Sequence, residues 1–249
     1  MPHDSRQIAI GDVHGCVHAL DALLDAISPT PDDQLIFLGD LIDQGHESRD
    51  VIDRLIELKR RCSLVLIEGN HEEMMFAARE SEKALRYWEN CGGVATLNSF
   101  RFGGSLKDIP REYWELLAEG LPYYETEDQI FTHANYQPDL PMSAQPGYQL
   151  RWALFEPERM QPHVSGKSVW VGHTEQVQGE ILDLGFAICI DTACWRYGWL
   201  TAVEVETKQV WQANRWGSLR EVGEASQRGQ LTRLLRKKLA DAAPAVSAN

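Results

Sequence analysis

Three short apolar runs in the first third of the chain end alike. "QIAI" runs into Gly11 and Asp12, "QLIFL" into Gly39 and Asp40, and "SLVLIE" into Gly69 and Asn70. Each run is strand-like in composition, and helical spacing follows: Val17, Leu20, Leu24 and Ile27 after the first, Val51, Ile52, Leu55 and Leu58 after the second. Strands that alternate with amphipathic helices specify βαβ units, in which helices cover the faces of a sheet. The polar residues at the strand ends then fall where open α/β sheets gather their binding groups. Ser48 is the expected N-cap of the second helix. Further helices are expected over 72–90, stopped by Gly92 and Gly93, and over 110–119, between Pro110 and Gly120.

Beyond residue 120 the pattern changes to period two. "YYETEDQIFTHA", "SVWVGHT", "GEILDLGFAICIDT" and "GWLTAVEVETKQVWQA" read as strands and hairpins. The expected architecture is therefore α/β in the first half and strand-rich in the second, packed as two sheets. Composition shifts again at residue 215, where Arg215, Arg220, Arg228, Arg233, Arg236, Lys237 and Lys238 face only Glu221, Glu224 and Asp241. A catalytic domain over 1–214 and a basic tail over 215–249 follow. Leu231, Leu234, Leu235 and Leu239 line one face of a short helix in that tail, and its last residues lack any core-forming pattern.

The net charge of −13 disfavours nonspecific binding to nucleic acid, which depends on Lys and Arg displacing counterions, so no nucleic-acid partner is expected. No apolar run is long enough to span a membrane, and "MPHDSRQ" lacks the basic and apolar regions of a secretion signal. Five cysteines without zinc-ligand spacing are expected as free thiols, which places the protein in the cytoplasm.

The strand ends carry the chemistry. Asp12 and His14 stand in "GDVHG", Asp40 and Asp43 in "GDLIDQG", Asn70 and His71 in "GNHEE", His133 in "FTHAN" and His173 in "VGHTE". Carboxylate, imidazole and amide oxygen together suit manganese, iron or zinc. Two such cations, roughly 3.5–4 Å apart, would clamp a phosphoryl oxygen and supply hydroxide near neutral pH. A histidine in such a site could protonate the leaving alkoxide. One Asp and one His in a glycine-flanked turn is a common capping arrangement; five such pieces in order after strands are not coincidence.

Taken together, "GDVHG", "GDLIDQG", "GNHE", a later lone His and "GHT" resemble the metallophosphoesterase signature in its phosphoprotein phosphatase form. That family includes bacterial serine/threonine phosphatases and symmetrical diadenosine tetraphosphatases, and the likeness runs from about Ile8 to Val210. It implies an α/β fold, the calcineurin-like β-sandwich of two mixed sheets flanked by helices. It also implies two divalent ions, manganese first, with iron or zinc as alternatives. Asp12 and His14 would bind the first and Asp40 would bridge, while Asn70, His133 and His173 would complete the second. His71 would be the general acid, oriented by Asp43. A bridging hydroxide would attack phosphorus without a phosphoenzyme, on a phosphorylated protein or a small phosphate ester. The alternatives are a (di)nucleoside polyphosphate or phosphodiester hydrolase, and a weakly catalytic phosphate-binding regulator.

The resemblance breaks at the phosphate-binding arginines. Gln44 stands where the family has Arg after the second Asp, and Glu68 where many members have Arg before "GNHE". Leu154 stands where Arg follows a tryptophan, with Arg151 just before Trp152 instead. Each of those arginines would supply a charge-assisted hydrogen bond worth about 1.5–3 kcal/mol. Either Arg151, Arg159 or Arg196 reaches the site from other loops, or the substrate carries less charge per phosphorus. Gln44, His46, Arg151 and Arg196 are accordingly the candidate substrate contacts, and Trp152 and Trp195 could stack on a ring.

Overall fold

The computed structural model describes residues 5–221. In chain order its strands are β1 (Gln7–Ile10), β2 (Gln34–Phe37), β3 (Ser63–Leu66), β4 (Tyr123–Glu125), β5 (Gln129–Thr132), β6 (Ser168–Val171), β7 (Leu182–Asp183), β8 (Ala187–Cys189), β9 (Leu200–Glu204) and β10 (Val210–Ala213). The helices are α1 (Val17–Ile27), α2 (Ser48–Lys59), α3 (Asn70–Ala77), α4 (Glu82–Trp88), α5 (Val94–Phe100), α6 (Arg111–Leu117) and α7 (Gly147–Arg151). Two mixed five-stranded sheets result, ordered β10-β9-β1-β2-β3 and β4-β5-β6-β8-β7. β1 pairs with β2 and β2 with β3 in parallel, whereas β9 runs antiparallel to β1.

The sheets pack face to face through Ala9, Ile36, Phe131, Trp170, Ile188 and Val203. On the other face of the first sheet, Ile8, Ile10, Leu35 and Phe37 lie under α1 and α2. Strands buried on both faces read as continuous apolar runs, which is why "QIAI" and "QLIFL" show no period of two. The outer face of the second sheet, with Ile130, Val169, Val171 and Ala187, is covered by Tyr136, Leu150 and Phe155. None of the described helices is long and apolar enough to cross a membrane.

The helix expected over 72–90 is instead broken. α3 ends at Ala77, and Ser81 caps a new start by accepting the Ala84 N–H (3.2 Å). Nor do Gly92 and Gly93 stop the chain: a π-helical turn over Glu89–Gly93 leads directly into α5. Gly92 supplies a φ of 116° in that turn, and a side chain on Gly93 would drive its Cβ to 2.4 Å from the Trp88 ring. Ser48 is the first residue of α2, not its cap, since its hydroxyl accepts the Asp43 N–H (3.1 Å). Helix α7 had no signal in the sequence pattern.

Residues 215–221 hold to the body: Arg215 Nη1 donates to the Trp195 carbonyl (2.9 Å) and Arg220 Nη1 to that of Gly179 (2.9 Å). The expected tail helix lies outside the described residues.

One buried ion pair ties β1 to the turn before β2. Arg6 Nη2 donates to Asp33 Oδ2 (2.7 Å), and the Thr30 N–H donates to the same oxygen (2.7 Å). Burial pushes the Asp33 carboxyl up, but the Arg6 and Thr30 hydrogen bonds outweigh it and hold the group well below the usual carboxylate range. A depressed folded-state pKa contributes stability that is complete above the unfolded value and is lost as pH falls through the folded value. Asp33→Asn should therefore lose about 1.5–3 kcal/mol at pH 7 in urea denaturation. The loss should shrink as pH drops below about 4; a pH-independent difference would contradict it.

Candidate metal centre and active site

The carboxyl ends of β1, β2 and β3 meet those of β5, β6 and β8 along one edge of the sandwich. Backbone bonds lock the loops together: Val13 and His14 N–H both donate to the Asp40 carbonyl (3.0 and 2.8 Å), and Gly172 N–H donates to that of His133 (2.7 Å). Gly69 and Gly172 admit close approach, since a Cβ would sit 2.2 Å from Asp40 Oδ1 at the first and 2.0 Å from Asp12 Oδ1 at the second. Five of the expected site residues adopt left-handed backbone: His14 (φ 45°), Asp40 (49°), Asp43 (69°), Gln44 (64°) and His173 (61°). Such conformations cost energy and collect where the surrounding structure imposes them on a functional site.

Two donor sets share Asp40. One comprises His14, Asp40 and His71, the other Asp40, His133 and His173, and within each set one ligand atom per residue lies within 4.8 Å of the others. His14 Nδ1–H donates to the Ile42 carbonyl (2.9 Å), which leaves Nε2 as a lone pair 3.4 Å from Asp40 Oδ2. Burial drives the His14 pKa down to about 4, so the ring is neutral at pH 7. In the same way His173 Nε2–H donates to the Trp152 carbonyl (3.1 Å), leaving Nδ1 bare, and burial lowers its pKa to about 4.

His133 Nδ1–H donates to the Leu38 carbonyl (2.7 Å), and its Nε2 faces Asn70 Oδ1 at 2.9 Å and Asp40 Oδ1 at 3.4 Å. Burial disfavours a charge on this ring, yet the Asp40 charge and hydrogen bond outweigh it and raise the pKa. A nitrogen whose other edge is fixed as donor, turned towards two oxygen acceptors, calls for a proton or a cation between them. The donor chemistry thus fits a divalent ion. Asp12, buried beside Asp40, accepts the His173 N–H on both carboxylate oxygens (3.2 and 3.0 Å).

One member of the first set, His71, is also half of a buried acid pair. His71 Nδ1–H donates to Asp43 Oδ2 (2.7 Å), and His71 Nε2 looks towards Asp40 Oδ2 at 3.9 Å. Burial opposes the imidazolium, but Asp40 and Asp43 prevail and raise its pKa to about 9, so His71 carries a proton at neutral pH. The Asp43 carboxylate is fully enclosed: Trp88 Nε1–H donates to Oδ2 (2.7 Å) and the Thr96 hydroxyl to Oδ1 (2.6 Å).

Sequence reasoning missed these two residues, which lie in α4 and α5 with no local signature. It also gave no role to Glu72, whose carboxylate accepts the N–H groups of Asp40 (2.9 Å), Leu41 (2.8 Å) and Gly69 (3.0 Å) and so clamps the β2 and β3 loops together. A fourth omission, Asp191, follows β8 as Asp12 follows β1, and that shared strand-end position was a usable signal. Burial raises the Asp191 pKa to about 7, and its charge in turn helps raise that of Asp12.

The expected substrate contacts fare differently. Gln44 is half-buried and its Nε2 donates to the Cys91 carbonyl (2.9 Å), while His46 is exposed. Arg151 lies beside the centre but is held by Glu73 (Nη2 to Oε1, 2.8 Å) and Glu68 (3.3 Å). Arg196 stacks on Trp195 and pairs with Glu175 (3.1 Å), to which the Trp195 indole also donates (2.8 Å). Leu154 is 60% exposed, and Arg159 pairs with Glu156 (2.6 Å).

Comparison with known proteins gives this geometry a family. Residues 5–174 match the model of the calcineurin-like phosphoesterases. Serine/threonine-protein phosphatase 1 of Salmonella typhimurium is 28% identical over 206 residues, 79% of this chain and 90% of the relative. The symmetrical bis(5'-nucleosyl)-tetraphosphatase of Pseudomonas putida is 28% identical over 162 residues, 64% of this chain; the matched stretch spans 52% of that relative's length. Among solved structures, a candidate diadenosine tetraphosphatase superposes with a TM-score of 0.64 at 19% identity, covering 89% of this chain and 96% of the other, which shows a shared fold. Strand-end donors sharing one carboxylate, a histidine among them paired with the buried Asp43, and a match over most of the chain agree: the protein belongs to the calcineurin-like phosphoesterase family of metal-dependent phosphoric ester hydrolases.

Proposed function

We propose that this chain hydrolyses phosphomonoesters, with phosphoserine and phosphothreonine in proteins as the substrate class. The observation that carries the reading is His71, fixed by Asp43 (2.7 Å) within a cluster whose two donor sets share Asp40. Similarity to the Salmonella protein phosphatase along most of both chains supports the substrate class. In this reading Asp12 and His14 hold one divalent ion, Asn70, His133 and His173 hold a second, and Asp40 serves both, with manganese as the preferred metal. Bound there, the ions would polarise the phosphoryl oxygens and lower the pKa of water, so that hydroxide is available at neutral pH. His71 Nε2–H then gives its proton to the leaving alkoxide, while Asp43 keeps the ring in place and stabilises its charge. Glu72 holds the Asp40 backbone, so the shared carboxylate need not reorganise during turnover. Residues 1–214 form the catalytic unit and 215–249 an accessory basic segment. Free cysteines support a reducing, cytoplasmic setting.

A second reading has one observation in its favour. Arg151 and Arg196 are already ion-paired, and a phosphodiester or polyphosphate linkage demands fewer cations per phosphorus. Turnover of the manganese-loaded protein on a phosphopeptide, p-nitrophenyl phosphate, a phosphodiester and diadenosine tetraphosphate separates the readings. Preferential monoester hydrolysis is expected; activity confined to the diester or tetraphosphate, or none at all, overturns the proposal.

A further inference from the structure

Arg151 and Arg196, on loops that bear on the donor sets, both pair with carboxylates. Arg151 ends α7, and the carbonyl of its neighbour Trp152 accepts the His173 ring N–H (3.1 Å). Arg151 is thus the chain neighbour of a residue that bonds to the centre. Its guanidinium is held on two sides: Nε and Nη2 both meet Glu73 Oε1 (3.0 and 2.8 Å), and Nη1 meets Glu68 Oε2 (3.3 Å). The Trp152 indole N–H donates to the other Glu73 oxygen. Glu73 thus binds two adjacent residues of the α7 end at once, from the first turn of α3, three residues after Asn70. The Arg151 side chain is only 17% exposed within this clasp.

Glu175 makes a looser version of this contact, accepting from the Trp195 indole (2.8 Å) and from Arg196 Nε alone (3.1 Å). Two Trp–Glu–Arg clusters therefore belong to loops that bear on the donor sets: Trp195 lies 6.4 Å from the His14 ring, and Trp152 bonds to His173. An arginine binds phosphate through a planar fork of donors. A fork already filled by carboxylate, with a second carboxylate alongside, contributes little to holding an anion.

We propose that Glu73 is a specificity-determining residue: by occupying the Arg151 fork and the Trp152 indole, it withholds the Arg151 guanidinium from the non-bridging phosphate oxygens and narrows the site's preference for a phosphomonoester dianion over a monoanionic diester. The inference rests on the phosphoesterase reading above and deepens it. Monoesters remain the preferred substrates but at a higher KM than a free Arg151 would give, and phosphorus centres of single charge lose less.

The test compares kcat/KM for p-nitrophenyl phosphate, a dianion, with that for bis-p-nitrophenyl phosphate, a monoanion, in the full manganese-loaded chain. Glu73→Gln keeps the shape and an oxygen for the Trp152 indole while removing the charge. The monoester-to-diester ratio should rise about tenfold, the worth of one charge-assisted hydrogen bond, and mostly through KM. Adding Arg151→Gln to Glu73→Gln should return the ratio to its starting value. If Glu73 is only a clip between α3 and α7, both substrates change in parallel and the ratio stays put, which overturns the proposal.

Should neither ester be turned over, the catalytic reading fails separately. Calorimetric binding of inorganic phosphate to the same proteins then decides the inference. Tightening in Glu73→Gln that disappears with Arg151→Gln supports it, and unchanged binding overturns it.

Discussion

His71→Asn is expected to retain its metal and to lose about 10²–10⁴-fold in kcat on a phosphoserine peptide, the usual worth of a positioned general acid. The size of the loss follows from the site's geometry. The ring is protonated at neutral pH because Asp40 and Asp43 outweigh the cost of burial. Its Nδ1–H is committed to Asp43 (2.7 Å), so Nε2–H is the proton available for transfer. Asparagine can still donate to Asp43 but has no proton to give. The defect should accordingly depend on the leaving group: severe for a serine alkoxide, mild for p-nitrophenolate, which departs without protonation. Metal analysis of the purified variant completes the test, because His71 also stands in one of the two donor sets. Loss of metal together with activity would make His71 a ligand and sink its assignment as the acid.

Asp40→Asn should be as damaging by a different route. Its carboxylate is common to both donor sets, with Oδ2 3.4 Å from His14 Nε2 and Oδ1 3.4 Å from His133 Nε2. Asparagine tolerates the left-handed backbone found here (φ 49°), so the loop should keep its course. What goes is the negative charge that favours a cation at either place. We expect both metal equivalents to fall together, activity to drop by at least about three orders of magnitude, and the circular dichroism spectrum to be preserved. Because a ligand that binds only the native state stabilises it, a chelator should lower the melting temperature of the wild type and leave that of Asp40→Asn unchanged. Equal chelator sensitivity in the two proteins would contradict the shared role of Asp40.

The fold was readable because its strands announce themselves twice, by apolar β-branched runs and by the Gly-Asp or Gly-Asn step that ends them. The clustering of the candidate residues was readable for the same reason, since His133 and His173 stand one and two residues after strands β5 and β6. Legibility failed where partners are distant in sequence and carry no local mark. Trp88 and Thr96 reach Asp43 across 45 and 53 residues, and nothing in a helical stretch distinguishes an indole that will bind a carboxylate from one that fills a core. Ser48 misled because local capping chemistry and tertiary bonding compete for the same hydroxyl, and here the Asp43 N–H wins. Arg151 read as a free cation because acids at positions 68 and 73 come next to it only through the docking of α7.

One consequence concerns the order in which the molecule can be made. The Asp12 carboxylate meets the His173 N–H across 161 residues, and Asn70 meets His133 across 63. A nascent chain that has just exposed Asn70 already carries four of the six donors and three parallel strands, but no second sheet for them to face. Long-range closure of this kind is slow, and its transition state must bring the two halves together before either is rewarded. The cluster around Asp40 is thus completed late in synthesis, only in chains translated beyond the sixth strand.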